Sequence, residues 1–150
     1  MNFATWITVA ALSVMPSLAV GEIVNVKAER SVAETMDALE AAVNEAGATI
    51  FARVDHAGGA ASAGMELAPE ELLIFGNPQL GTPAMQADPL AGLHLPLQVL
   101  VYQDDAGQVW LAYEDPAATL SELQGISDDA PYLAKMSGAL ENLTKRAAGN

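Results

Sequence analysis

Cysteine is absent from the 150-residue chain. That removes disulfide frameworks, thiolate zinc sites, iron–sulfur clusters and cysteine nucleophiles in one step. Positive charge is also scarce, with 6 Lys and Arg against 19 Asp and Glu and a formal charge of −13. Without a basic cluster there is no electrostatic footprint for phosphates, so neither nucleic acid nor an anionic membrane surface is expected as a partner. Histidine occurs only as His56 and His94. A metal site would need both, or one of them with carboxylates and Met85; a soft site of that kind in an exported protein would suit copper. No pair of these ligands has helical or hairpin metal spacing, so no metal is expected. Gly59 and Gly64 are spaced like the glycines of a phosphate loop, yet no lysine follows Gly64 to meet the phosphates. No cofactor is expected.

Apolar residues make up 51% of the chain, enough to build a core for one domain of this size. The run from Phe3 to Met15 is apolar apart from Thr5, Thr8 and Ser13, and is too short to span a bilayer. Pro16 breaks it. Ser17-Leu18-Ala19 then places small residues three and one positions before a cut, the pattern of a secretory signal peptide spanning 1–19, although no Lys or Arg precedes the run. The expectation is a periplasmic or secreted protein whose single domain occupies 20–150.

Ile23 to Glu29 alternates apolar and polar residues and predicts a strand. Ser31-Val32-Ala33-Glu34 fits a capping box, with Val32, Met36, Leu39, Val43 and Ala46 on one helical face and Gly47 as the stop. Thr49 to Asp55 predicts a second strand, with Ile50, Ala52 and Val54 on one side. Ala57 to Gly64 holds only Ala, Gly and Ser and reads equally as a loop or a short helical turn. Glu70 to Phe75 predicts a strand covered on both faces, and Gly76-Asn77-Pro78 a turn. Thr82-Pro83 looks like a helix start, and Pro89 allows only a short helix.

Leu97 to Gln103 and Gln108 to Tyr113 predict two strands joined by Asp104-Asp105-Ala106-Gly107. Asp115-Pro116 starts a helix expected to reach Leu123, with Gly125 as its stop. A last helix from about Asp128 carries a stripe of Leu133, Met136, Leu140, Leu143 and Ala147. The order β-α-β-β-(α)-β-β-α-α predicts an α+β fold, a mostly antiparallel sheet with helices packed on one face.

Phe51-Ala52-Arg53-Val54-Asp55-His56, Glu70 to Pro78, and Gly81-Thr82-Pro83-Ala84-Met85 follow one another in order, extended by Leu95-Pro96-Leu97 and the hairpin from Asp105 to Tyr113. Together they resemble the domain-of-unknown-function 302 (DUF302) family over about Ile23 to Leu123. The resemblance implies a compact α+β fold with the outline of a TATA-binding protein half, and a homodimer. It brings no established reaction, and the acidic surface sets DNA binding aside.

Candidate ligand-binding residues are Asp55 and His56 at a strand end, Asn77 in a turn, and Met85. Imidazole at His56 can bind a metal, shuttle a proton or recognise a carboxylate, while Asp55 and His56 can equally fix the strand end through backbone hydrogen bonds. Ser62 sits in a loosely elbow-like Ala/Gly segment without the context of a nucleophile. Trp110 and Tyr113 have opposite strand parity and do not share a face. The expected function is an exported module that binds a small apolar ligand or a partner chain, with no catalytic residue assigned. The alternative is a hydrolase or isomerase using His56 as general acid or base, oriented by Asp55 or Asn77.

Overall fold

The structure, a computed structural model, describes residues 21–149. The expected leader at 1–19 therefore lies outside the described residues. Ile23–Ala28 (β1), Thr49–Asp55 (β2), Glu70–Gly76 (β3), Leu97–Gln103 (β4) and Val109–Glu114 (β5) form one sheet in the order β1-β5-β4-β3-β2. Every neighbouring pair is antiparallel. The helices are Val32–Glu45 (α1), His56–Ser62 (α2), Pro78–Ala87 (α3), Pro116–Leu120 (α4) and Pro131–Ala148 (α5), with a 3₁₀ helix at Pro89–Leu93. This is the α+β architecture expected from the hydrophobic periods.

Helix α1 starts as its capping box requires. Ser31 Oγ accepts from the Glu34 amide at 3.3 Å, and the Glu34 carboxylate accepts from the Ser31 amide at 3.1 Å. Val32, Met36, Leu39 and Val43 are buried as their spacing predicts, and Ala46 instead caps the exposed end. The full α5 stripe is buried, and Gly149 closes that helix with φ 86°. Both helices pack on the sheet face formed by Val26, Leu111, Val101 and Leu73.

Four features refine or correct the sequence expectation, each for a local reason. The β2–β3 register shifts between Ile50 and Ala52. Ile50 therefore pairs with Phe75 on the core side while Ala52 and Val54 turn to the other face, as a bulged residue makes strand parity slip. Ala57 to Gly64 resolves into helix α2, because the Asp55 carboxylate accepts from the Gly58 amide at 2.7 Å and caps it. Asn77, not Thr82, starts α3, its side chain accepting from the Gln79 amide at 2.9 Å, and Pro83 is carried inside the helix. Gly125 does not stop α4, which already ends at Leu120. An added Cβ there would lie 2.3 Å from the Ala87 carbonyl, so close backbone approach is what requires glycine.

Two ionic devices brace the sheet. Arg53 on the edge strand donates to Glu71 at 2.5 Å and to Asp37 and Glu40 of α1 at 2.6 and 3.1 Å, tying strand to helix. At the β4–β5 hairpin Asp104 accepts from the Trp110 indole at 2.9 Å and from the amides of Gln108 and Ala106. These donors, the indole foremost, hold the Asp104 carboxyl below its ordinary value of 3.8. A depressed folded value stabilises the hairpin fully above 3.8, and that contribution disappears as pH falls through the lower folded value. The Trp110 indole proton resonance is therefore expected to move on acidification below the ordinary carboxylate range. In Asp104→Asn it should show no such titration.

Candidate functional site

The hairpin register decides where a site forms. Gln103 pairs with Val109 and Leu100 with Ala112, and there the β4–β5 ladder stops. Continued at the same register, it would set Pro96 opposite Pro116. Neither proline has an amide hydrogen to give to a ladder. Asp115 instead caps α4, accepting from the Ala117 amide, and turns the chain away from β4. Leu97 to Val99 then pair only with β3, and Tyr113 and Glu114 only with β1, so the two central strands diverge.

A cleft of about 510 Å³ occupies that divergence. Leu72, Leu100, Ala112 and Ile23 line it from the sheet, Leu120 and Leu140 from the helices, and Leu93 to Leu95 from the segment before β4. It lies at the seam of two core clusters. Leu140 belongs to the cluster of α1, α5 and the sheet, Leu120 to a second one built from α3, α4 and the start of α5, and Leu97 packs against both. A small domain with two abutting clusters leaves imperfect packing at their junction, and a cleft of this size suits a small molecule.

Four polar side chains line the cleft: His94, Gln98, Glu114 and Thr119. Thr119 is 9% exposed, and its hydroxyl has no hydrogen-bond partner among the described residues. An unpaired buried hydroxyl costs about 1–3 kcal/mol relative to a satisfied one. Gly21 crosses directly beside it, where an added Cβ would stand 2.8 Å from the hydroxyl oxygen. Burial, and to a smaller extent the Glu141 carboxylate, push the Tyr113 phenol above its ordinary value, so the cleft wall keeps a neutral aromatic ring at physiological pH.

The residues expected from sequence fall elsewhere. Asp55 and His56 sit at the end of β2 that pairs with Glu71, with Asp55 engaged as the α2 cap. Asn77 follows Gly76 at the opposite end of β3, six residues further on, or about 20 Å at ~3.3 Å per strand residue. His94 stays at the Asn77 end, since Leu97 pairs with Phe75. The structure therefore brings neither His56 with Asn77 nor His56 with His94. Met85 packs its sulfur over Gly92, next to Leu93 and His94 but outside the cleft lining. Of the residues singled out from sequence, only His94 and Tyr113 line the cleft. Thr119, Gln98 and Glu114 carry no motif; the available signal was the opposition of Pro96 and Pro116 across the hairpin.

A family model described as Domain of unknown function DUF302 matches residues 24–143. Two proteins named fluoride-specific ion channel FluC 1, from Brucella suis biovar 1 (strain 1330) and Brucella abortus biovar 1 (strain 9-941), are 42% identical to the chain over 137 residues. The alignment takes in 91% of this chain and 54% and 50% of those proteins, so the chain spans about half the length of the curated relatives it matches. Among the described residues no helix is long and apolar enough to cross a membrane. The channel name is said of the Brucella proteins. The fold also resembles the crystal structure of an uncharacterized conserved DUF302 protein from Bacillus stearothermophilus, with TM-score 0.66 and 19% identity, covering 85% of this chain and 95% of that one. At that identity the likeness is one of fold.

Proposed function

The chain belongs to the DUF302 family, and from that premise we propose that it is an exported, homodimeric module that holds a small, largely apolar ligand in the cleft between β4 and β5. The observation that carries this reading is the cleft itself: apolar walls from both core clusters, few polar groups, and one buried hydroxyl without a partner among the described residues. That composition is what small-molecule sites share. A binding role at the cleft fits better than chemistry at His56, because Asp55 beside it is engaged as the α2 cap and His56 does not line the cleft.

Export rests on the apolar segment and the small residues before Val20, together with the lack of cysteine. Amino-terminal sequencing of protein recovered from a bacterial periplasm is expected to begin at Val20. Retention of Met1 in that fraction would reject cleavage.

The cleft reading is tested with the neutral fluorescent probe N-phenylnaphthylamine, titrated into the protein. One saturable site per chain is expected. Leu93 is 80% exposed at the cleft. Partial burial of its side chain by a ligand is worth roughly half of the ~1.5–3 kcal/mol for full burial. Leu93→Asp should therefore weaken probe binding about tenfold, while stability stays within about 0.5 kcal/mol. Unchanged probe affinity in this variant would move the ligand away from the cleft.

A further inference from the structure

We infer that the cleft selects a cation: an alkyl amine or quaternary ammonium whose apolar tail lies between the diverging strands and whose charged head stands at Glu114. The inference rests on the ligand-binding reading above and adds the chemical class. None of the six Lys and Arg residues lines the cleft, and its one ionisable carboxylate is Glu114 at the end of β5. An anionic head would meet that carboxylate with no lysine or arginine of the lining beside it and only the His94 imidazole to face it, in a chain whose formal charge is −13. A cation meets the opposite situation and is drawn in by the field of the whole molecule.

One further group favours the same head. The Thr119 hydroxyl is buried, has no hydrogen-bond partner among the described residues and belongs to the cleft wall, and its oxygen can accept from an ammonium N–H. Four of the six Lys and Arg residues are paired away from Glu114: Arg53 with Glu71, Asp37 and Glu40, Arg146 with Glu45, Lys145 with Glu141, and Lys27 with Glu29.

Octylammonium, octyltrimethylammonium, octanol and octanoate separate head from tail, because the four share one apolar chain. Each is used to displace N-phenylnaphthylamine from the full chain at neutral pH and low salt. Both cations are expected to displace the probe at a concentration about tenfold below octanol, with octanoate weakest. Glu114→Gln should bring the cations to the level of octanol while leaving octanol in place, and added salt should do the same in part. Thr119→Val should weaken octylammonium more than octyltrimethylammonium, which has no N–H to give.

Octanoate binding as well as the cations, or a cation preference untouched by Glu114→Gln, would overturn the assignment of class while leaving an apolar ligand site intact. Displacement by none of the four, from a protein that does bind the probe, would also overturn it. Failure of the probe itself to bind removes the cleft reading first.

Discussion

Light scattering on the Ile74→Asp protein is expected to return the mass of one chain, and on the unaltered protein twice that mass. The helices α1 and α5 cover only one face of the sheet. The other face presents Leu72, Ile74, Leu100, Tyr102 and Trp110 across three strands, flanked by Phe51 at 58% exposure. The whole face, five strands at ~4.8 Å spacing and about six residues each, measures roughly 24 Å by 20 Å, and these apolar residues occupy its three inner strands. Corrugated by side chains, such a face is of the order that one partner contributes to a standard interface, about 800 Å². An apolar centre with a polar rim is the arrangement such interfaces have. Two chains of charge −13 each also meet at least electrostatic cost through the part of the surface where carboxylates are few.

In a two-fold dimer each substitution is made twice across the interface, so Ile74→Asp would bury two carboxylates without partners. The single chain tolerates the change, because Ile74 is only half-buried and faces away from the helices. A circular dichroism spectrum retaining helix and strand would confirm that the variant is folded. A dimeric variant would place the interface elsewhere. Leu72 and Leu100 belong to both the patch and the cleft, so a second copy seated there would also roof a ligand in the cleft. Probe binding should accordingly weaken in Ile74→Asp, although Ile74 does not line the cleft.

Local chemistry was legible in the sequence wherever one element decides its own form. The Ser31–Glu34 capping box and the α5 stripe depend on neighbours three and four residues away, and both are present as read. The β2 bulge was not legible, because it exists only once Ile50 and Ala52 take partners on β3. Asn77 and Thr82 each precede a proline and compete as caps for one helix. Asn77 prevails directly at the end of β3, and Pro83 is carried inside the helix although it has no amide hydrogen to give. The cleft was half-legible: the prolines that part β4 from β5 are plain, but Thr119 becomes a buried hydroxyl only when α4 folds against Gly21. Histidine, the residue that most invites a functional reading, marks two separate places. His56 owes its position to the strand end and the α2 cap, while His94 reaches the cleft through the segment that precedes Pro96.

Two leucines separate packing from site. Leu73→Ala and Leu140→Ala delete the same atoms from side chains that are both fully buried, yet they are expected to differ in cost and in consequence. Leu73 lies mid-sheet beneath α1, away from the cleft, so its removal leaves a sealed void. A sealed void retains both the lost transfer energy and the lost packing, and falls toward the upper part of the 2–5 kcal/mol range, about 4 kcal/mol. Leu140 stands on the cleft wall, so its removal opens onto the cleft and leaves no sealed void. The cost should fall toward the lower part, about 2.5 kcal/mol. Urea unfolding gives both numbers. Saturating N-phenylnaphthylamine should then restore part of the loss in Leu140→Ala and no more than the unaltered protein gains in Leu73→Ala, since a ligand stabilises in proportion to its affinity for the folded state. Equal costs with equal rescue would mean that Leu140 is ordinary core and that the cleft ends short of α5. A rescue confined to Leu140→Ala places the apolar end of the ligand against α5, at the seam where the two core clusters meet.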